Sequence, residues 1–191
     1  TPNGEFKAFF RQIIRRRTQY DHTIILFMSD HGDHLGQHKM YQKMEMYEQS
    51  IKVPMLMKVP SCSPRDIHGL VSHLDIVPTL LDILGIERGQ HFDGMSLRPV
   101  LLGEEELPNR FIFSQYSGNP AIGDIRRAVI SERYKFIYDP NDEDELFDLQ
   151  LDCLEMNNLA NDARFNEIKN TLKEQLIRWG NAHQDWIFKN G

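Results

Sequence analysis

The spacing of apolar side chains predicts a helix, a loop and a buried strand at the start of the chain. In residues 5–17 the apolar positions recur every three or four residues, as on the buried face of a helix: Phe6, Phe9, Phe10, Ile13 and Ile14. Residues 23–28 form a mostly apolar run that ends in turn residues. Such a run is typical of a short strand buried on both faces, as in a parallel sheet. A helix, a loop and a buried strand together make half of an α/β repeat.

The next stretch continues this alternation of strands and helices. Residues 52–58 predict a further strand. Residues 71–84 carry apolar side chains at helical spacing, which predicts a second helix. We expect Asp75 to be its N-cap and Gly85 its stop, because these residue types favour those positions.

Beyond an acidic loop at residues 103–108 the pattern becomes that of short strands followed by one long helix. Apolar or alternating runs predict strands at residues 110–116, 125–131, 134–138 and 145–149. Residues 164–183 carry a single apolar stripe, which predicts a helix that covers this small antiparallel sheet. We therefore expect a boundary near the acidic loop, with one unit in residues 1–105 and a second in residues 106–191.

Composition narrows the classes of protein. The 191 residues are 40% hydrophobic and 26% charged, as in globular proteins rather than disordered or membrane ones. A net charge of -6 argues against general affinity for nucleic acid, and we expect no nucleic-acid partner. No apolar run is long enough to predict a membrane span. Two cysteines are too few for a disulfide framework and do not identify a compartment.

The chemistry-bearing residues follow the first predicted strand. Asp30 and His31 come directly after it, and Gly32 allows a sharp turn there. A carboxylate and a neutral imidazole can share a divalent cation. Lys43, thirteen residues after Asp30, offers a positive charge for an anionic group, and His38 could donate or accept a proton. Taken alone, however, the same residues fit a polar turn that merely ends a strand.

One zinc motif is mimicked by this stretch. His34 and His38 have the i, i+4 spacing of a zinc protease helix. The glutamate that should follow the first histidine is absent, and Gly36 lies in the middle of the segment, where it disfavours a helix. We therefore reject this interpretation.

Several segments together resemble one family. They occur in the same order as in the sulfatase branch of the alkaline phosphatase superfamily: SDHGDHLGQHKMYQK at 29–43, YE at 47–48, VP at 53–54, LDIVPTLLD at 74–82, DGMSL at 93–97, YKFIY at 134–138, and ELFDL at 145–149 leading to NNLA at 157–160. Ordered matches spread over this much of the chain are far more specific than any single motif.

The resemblance implies a fold and an activity. It implies the C-terminal part of an alkaline-phosphatase-like α/β sandwich domain in residues 1–105, followed in residues 106–191 by a small α+β subdomain, an antiparallel sheet packed by a C-terminal helix. It implies a sulfuric ester hydrolase that acts on small-molecule or glycan sulfate esters. Members of this family use a formylglycine nucleophile and a divalent metal, for which we expect Ca²⁺, with Mg²⁺ or Mn²⁺ as alternatives.

The resemblance also implies roles for four residues of this chain. Asp30 and His31 match the later pair of metal ligands, and Lys43 matches the lysine that contacts the sulfate group. His38 falls where many members carry a histidine, for which a catalytic role and a supporting role both stay open.

The family's nucleophile motif, Cys/Ser-x-Pro/Ala-x-Arg, does not occur in this chain. Cys62-Ser-Pro-Arg65 has one residue too few and lies in a predicted loop. We therefore expect a C-terminal fragment that needs the N-terminal half of the catalytic domain and is inactive alone. Two alternatives remain open: a phosphonate or phosphate ester hydrolase of the same superfamily, and a non-catalytic subdomain that acts as an interaction module.

Overall fold

The computed structural model describes residues 19–60, 62–87, 89–118 and 124–188. The helix predicted at residues 5–17 lies outside these ranges. The described strands are β1 Ile25–Met28, β2 His34–Leu35, β3 Tyr41–Gln42, β4 Met55–Lys58, β5 Ile112–Tyr116, β6 Arg126–Ile130, β7 Tyr134–Tyr138 and β8 Glu145–Asp148. The described α-helices are α1 Glu48–Ile51, α2 Ile76–Ile83, α3 Arg98–Leu102 and α4 Asn166–Ala182. None of these helices has both the length and the apolar character needed to cross a membrane.

Strand β1 differs from its prediction in both pairing and burial. It pairs with β4 in antiparallel register, with Ile25 opposite Lys58 and Met28 opposite Met55. All four of its residues are half-buried. The expectation of a strand buried on both faces in a parallel sheet is therefore wrong for the described residues. A short apolar run favours burial but does not select the direction of its partner, and here β4 supplies a second apolar run that pairs with it.

Between β1 and β4 the chain forms a short ribbon and a short helix. Strands β2 and β3 pair antiparallel, with His34 opposite Gln42. The turn that joins them contains Gly36, His38 and Lys39, all with positive φ. The single-turn helix α1 follows and leads into β4. This segment carries most of the residues that the sequence singled out.

Helix α2 begins at Ile76 with Asp75 at its N-cap, as predicted, but the Asp75 side chain makes no capping hydrogen bond. A 3-10 turn at His73–Asp75 precedes it, and the Ser72 hydroxyl accepts a hydrogen bond from the Leu74 amide. The Asp75 carboxylate reaches back to the Ser72 amide at 2.8 Å instead of capping α2 itself. Asp75 therefore takes the predicted N-cap position, but its carboxylate is fully buried against Arg110 and makes no capping hydrogen bond to α2. Gly85, with φ +64°, ends the helix as expected.

The second half of the described chain is a four-stranded antiparallel sheet in the order β5-β6-β7-β8. The Ser131 amide donates to the Tyr134 carbonyl oxygen at 2.8 Å, which closes the hairpin turn between β6 and β7. One face of the sheet packs on α4, through a cluster that includes Phe136, Leu172 and Leu176. The predicted antiparallel sheet with its covering C-terminal helix is therefore confirmed.

The opposite face of this sheet covers the segment that leads into α1. Met46 and Tyr47 belong to one buried cluster with Ala128, Ile137 and Phe147. The sheet is therefore packed on both faces, by α4 on one side and on the other by the chain between β1 and β4, residues 29–54, which we call the site segment.

Candidate active site

The turn after β1 holds a carboxylate and an imidazole side by side. The Ser29 hydroxyl donates to the His31 carbonyl oxygen at 2.7 Å, and the His31 amide donates to Asp30 Oδ1 at 3.0 Å. The other carboxylate oxygen, Oδ2, lies 3.4 Å from His31 Nε2. The Asp30 side chain is 84% exposed and that of His31 is 38% exposed. Both groups are therefore accessible to a ligand.

The hydrogen bonds of His31 determine which ring nitrogen carries the proton. Its Nδ1 lies 2.7 Å from the Gly32 carbonyl oxygen. Because a carbonyl oxygen can only accept, Nδ1 is the protonated nitrogen and the lone pair of the neutral ring is on Nε2. This is the tautomer in which Nε2 can bind a metal ion.

Lys43 joins these two residues in space. It directly follows β3, and its ammonium group contacts His31 Nε2. The ribbon of β2 and β3 brings it back toward the end of β1. The structure therefore places Asp30, His31 and Lys43 together.

The charge of Asp30 is stabilised locally. The hydrogen bond from the His31 amide lowers the pKa of the Asp30 carboxyl, and the positive charge of Lys43 lowers it further. Asp30 is therefore ionised at neutral pH, which is the form that binds a cation.

Helix α1 forms hydrogen bonds to the backbone on either side of the contact between His31 and Lys43. The Gly32 amide donates to the Ser50 carbonyl oxygen at 2.7 Å. The Ser50 hydroxyl donates to the Lys43 carbonyl oxygen at 2.8 Å. One residue of α1 thus binds the backbone next to His31 and the backbone of Lys43. Sequence reasoning missed this role of Ser50, because the contacts depend on how the helix docks.

His38 makes the contacts of a packed side chain. Its ring stacks on Tyr47, with centroids 4.1 Å apart and planes 5° from parallel, and meets the edge of His34 at 6.2 Å. The Tyr47 hydroxyl in turn donates to Glu145 Oε1 at 2.7 Å. Within the described ranges, the buried Nε2 of His38 has no hydrogen-bond partner. These contacts tie His38 to the packing of the site segment, and its role in catalysis stays a prediction.

His34 lies behind His38 and is almost completely buried, at 1% exposure. Burial lowers the pKa of its imidazole, and the neighbouring His38 lowers it further. His34 is therefore neutral at neutral pH, and its ring packs against His38 and Tyr47 beneath the ribbon of β2 and β3.

A cleft of about 240 Å³ opens beside the three converging side chains. Its lining residues are His31, Asp33, Gln42, Lys43, Met44 and Tyr116. Tyr116 is the last residue of β5, so the second half of the chain contributes to the cleft. Sequence reasoning missed it because nothing local links a residue of that strand to the turn after β1.

Asp30 and His31 are spaced as two ligands of a divalent cation, such as the resemblance implies, would be. Two ligands at right angles on a cation with Ca²⁺-like bond lengths lie about 3.3–3.7 Å apart. The distance of 3.4 Å between Asp30 Oδ2 and His31 Nε2 falls in this range. Among the described residues no cluster of three or more His, Cys, Asp or Glu side chains could hold a metal. Asp30 and His31 therefore offer two ligand atoms at a spacing that suits a divalent cation.

Comparison with known proteins identifies the family. The family model for N-sulphoglucosamine sulphohydrolase, C-terminal, matches residues 36–182. Choline-sulfatase of Rhizobium meliloti is 35% identical over 154 residues, which are 79% of this chain and 30% of that protein. N-acetylglucosamine-6-O-sulfatase of Bacteroides thetaiotaomicron is 29% identical over 176 residues, which are 87% of this chain and 32% of that protein. The chain thus spans about a third of the length of these relatives.

Solved structures agree in fold. A protein in complex with its substrate D-glucosamine-2-N,6-O-disulfate superposes with a TM-score of 0.79 at 27% identity, over 93% of this chain and 38% of that one. The phosphonate monoester hydrolase of Agrobacterium radiobacter gives a TM-score of 0.79 at 26% identity, over 92% of this chain and 38% of that one. The family match, the sequence relatives and the shared fold lead to one conclusion: the chain belongs to the sulfatase family of the alkaline phosphatase superfamily and corresponds to its C-terminal part.

Proposed function

We propose that the protein carrying this chain is a sulfuric ester hydrolase, to which the chain contributes one part of the active site. The convergence of Asp30, His31 and Lys43 beside a cleft carries this proposal. A carboxylate, an imidazole with its lone pair on Nε2 and an ammonium group form a set suited to a cation and a bound oxyanion together.

Asp30 and His31 are proposed as two ligands of a divalent cation, with Ca²⁺ first and Mg²⁺ or Mn²⁺ as alternatives. A bound cation would supply a Lewis acid that polarises the sulfate oxygens and stabilises negative charge as it develops. The turn after β1 prepares both ligands, since the His31 amide stabilises the Asp30 carboxylate and the Gly32 carbonyl selects the His31 tautomer.

Lys43 is proposed to bind the sulfate group. Its ammonium has three donors and lines the cleft, so it can bind an anionic oxygen in place of His31 Nε2, the atom proposed to bind the cation. His38 is proposed to support Lys43 by packing, because its stacking on Tyr47 anchors the turn between β2 and β3. The attacking formylglycine is proposed to lie outside this chain, in an N-terminal half of the catalytic domain, so that the chain alone is inactive.

The proposed substrates are small-molecule or sugar sulfate esters. Similarity to an N-acetylglucosamine-6-O-sulfatase and to a structure that holds a glucosamine disulfate supports a sulfated sugar. We also propose that residues 1–105 belong to the catalytic α/β domain and that residues 106–191 form the C-terminal subdomain.

A second candidate is phosphonate ester hydrolysis, because a phosphonate monoester hydrolase matches the fold with the same TM-score as the disulfate complex. The test is a parallel assay of the intact protein with an aryl sulfate and an aryl phosphonate monoester. Faster cleavage of the sulfate supports the proposed function. Faster cleavage of the phosphonate replaces it with the second candidate, and cleavage of neither supports a non-catalytic module.

A further inference from the structure

Two of the family-like segments, YE at 47–48 and YKFIY at 134–138, meet at one buried lysine outside the cleft. Lys135, on β7, is completely buried. Its ammonium lies 2.8 Å from Glu48 Oε1 and 2.7 Å from Glu155 Oε1, and it donates to the Met46 carbonyl oxygen at 3.0 Å. A buried ammonium needs such partners, because burial without them is strongly unfavourable. Lys135 therefore joins the sheet to the first residue of α1.

Glu155 binds the same end of α1 a second time. Its Oε2 accepts a hydrogen bond of 2.6 Å from the Glu48 amide, at the helix N-terminus, where a carboxylate is favourable. Glu155 is itself buried and has a positive φ of 57°. Burial alone would raise the pKa of Glu48, but Lys135 and Lys52 lower it, so Glu48 is ionised at neutral pH. The cluster therefore consists of two carboxylates around one ammonium.

This cluster defines where α1 lies more narrowly than apolar contacts could. Apolar surfaces tolerate small slides, whereas charge-assisted hydrogen bonds are strong and have defined lengths. The same helix, through Ser50, binds the backbone of Gly32 and of Lys43. A displacement of α1 would therefore change the position of His31 relative to Lys43.

We propose that Lys135 and Glu155 are positioning residues of the active site, acting through α1 on the contact between His31 and Lys43. Neither residue lines the cleft, and neither is assigned to cation or sulfate binding. The expected effect on catalysis rests on the proposed function. The positioning of His31 and Lys43 by α1 does not. The C-terminal sheet then helps to position His31 and Lys43, in addition to packing against the site segment.

The test uses the intact protein with ¹⁵N-labelled histidine and follows the His31 ring nitrogens by NMR, because their shifts report the tautomer. The variants are Lys135→Met, Glu155→Gln and Ser50→Ala. The matched control is Asp185→Asn, which perturbs another buried ion pair of the same sheet, that with Arg127. Thermal unfolding of each variant is measured in parallel.

We expect Lys135→Met and Glu155→Gln to shift the His31 signals toward a mixture of tautomers. Ser50→Ala should shift them in the same direction with little change in unfolding temperature. Asp185→Asn should lower the unfolding temperature and leave the His31 signals unchanged. If Lys135→Met does not fold, the His31 signals of Glu155→Gln and Ser50→Ala test the proposal instead. Wild-type His31 signals in the folded variants would overturn the proposal, as would an equal shift in Asp185→Asn.

Aryl sulfate turnover of the same samples separates this inference from the proposed function. Shifted His31 signals in variants of a protein that cleaves no sulfate ester would refute the function and keep the positioning. Unchanged signals in variants of an active enzyme would refute the positioning and keep the function. When both hold, Glu155→Gln should lower kcat in proportion to the shift of the His31 signals.

Discussion

The amide of Gly32 donates a hydrogen bond of 2.7 Å to the carbonyl oxygen of Ser50, so the turn after β1 is docked directly on α1. The approach is so close that the carbonyl oxygen of Gln49 occupies the space that a Cβ on Gly32 would need. Glycine is therefore required here for close packing of two backbones, and its φ is not in the left-handed region.

Replacement of Gly32 by alanine should force these backbones apart. We expect Gly32→Ala to lower the free energy of unfolding by about 1–3 kcal/mol, as overpacking does. Gly89→Ala is the matched control, because a Cβ there meets no atom within 4 Å. Urea denaturation of both variants checks the prediction, which fails if the two have equal stability.

Lys43→Ala should remove the proposed sulfate-binding charge. We expect kcat/KM of the intact enzyme for an aryl sulfate to fall by at least about tenfold, as for loss of a group that stabilises developing charge. Lys39→Ala, in the exposed turn between β2 and β3, removes a nearby lysine that does not line the cleft and should leave turnover close to wild type. Near-normal activity of Lys43→Ala would exclude Lys43 from the site.

Asp30→Asn should weaken binding of the divalent cation. The change keeps the shape of the side chain but removes the negative charge that a hard cation prefers. We expect the Kd of the intact protein for Ca²⁺ to rise by about tenfold or more, measured by titration calorimetry. Asp21→Asn, in the 3-10 turn before β1, is the control for a general charge effect. Equal calcium affinity of both variants would remove Asp30 from the ligand set.

One ion pair connects the loop after α2 with the end of α4 and should make stability depend on pH. The Trp179 carbonyl oxygen, 2.8 Å from His183 Nδ1, raises the pKa of His183, and Asp93 Oδ1, 3.2 Å from Nε2, raises it further. His91 Nε2 also faces Asp93 Oδ1, at 3.8 Å. Because folding favours the protonated His183, its contribution is fully present below the unfolded pKa of about 6.5 and is lost as pH rises through the higher folded pKa.

As pH rises from the unfolded pKa of His183 through its higher folded pKa, we therefore expect the free energy of unfolding of the wild type to decrease more steeply than that of Asp93→Asn. Urea denaturation at a series of pH values measures both slopes. His91→Gln is the control for the second histidine and should retain most of the wild-type slope, since His91 makes the longer contact. Parallel slopes in wild type and Asp93→Asn would show that this pair does not stabilise the fold.

The residues that the sequence could identify are those whose contacts are local. The turn that holds Asp30 and His31 is built within four residues, from Ser29 to Gly32, so its residue types already suggest its geometry. The strands and the covering helix of the second half follow from periodicity, because alternation and helical spacing record which face each element buries. The approach of Lys43 to His31 needs only a short ribbon between them.

Tertiary structure decided everything that depends on a distant partner. Strand β1 pairs antiparallel because β4 lies beside it, and the Asp75 side chain makes no capping hydrogen bond to α2 because Arg110, far along the chain, holds its carboxylate. Tyr116 reaches the cleft and Lys135 reaches Glu48 only once the sheet has docked on the site segment. The sequence alone thus determined the local elements and their chemistry. Only the packing of distant segments determined which of them meet, because the free energy of burying a charge or an apolar face depends on the partner that covers it.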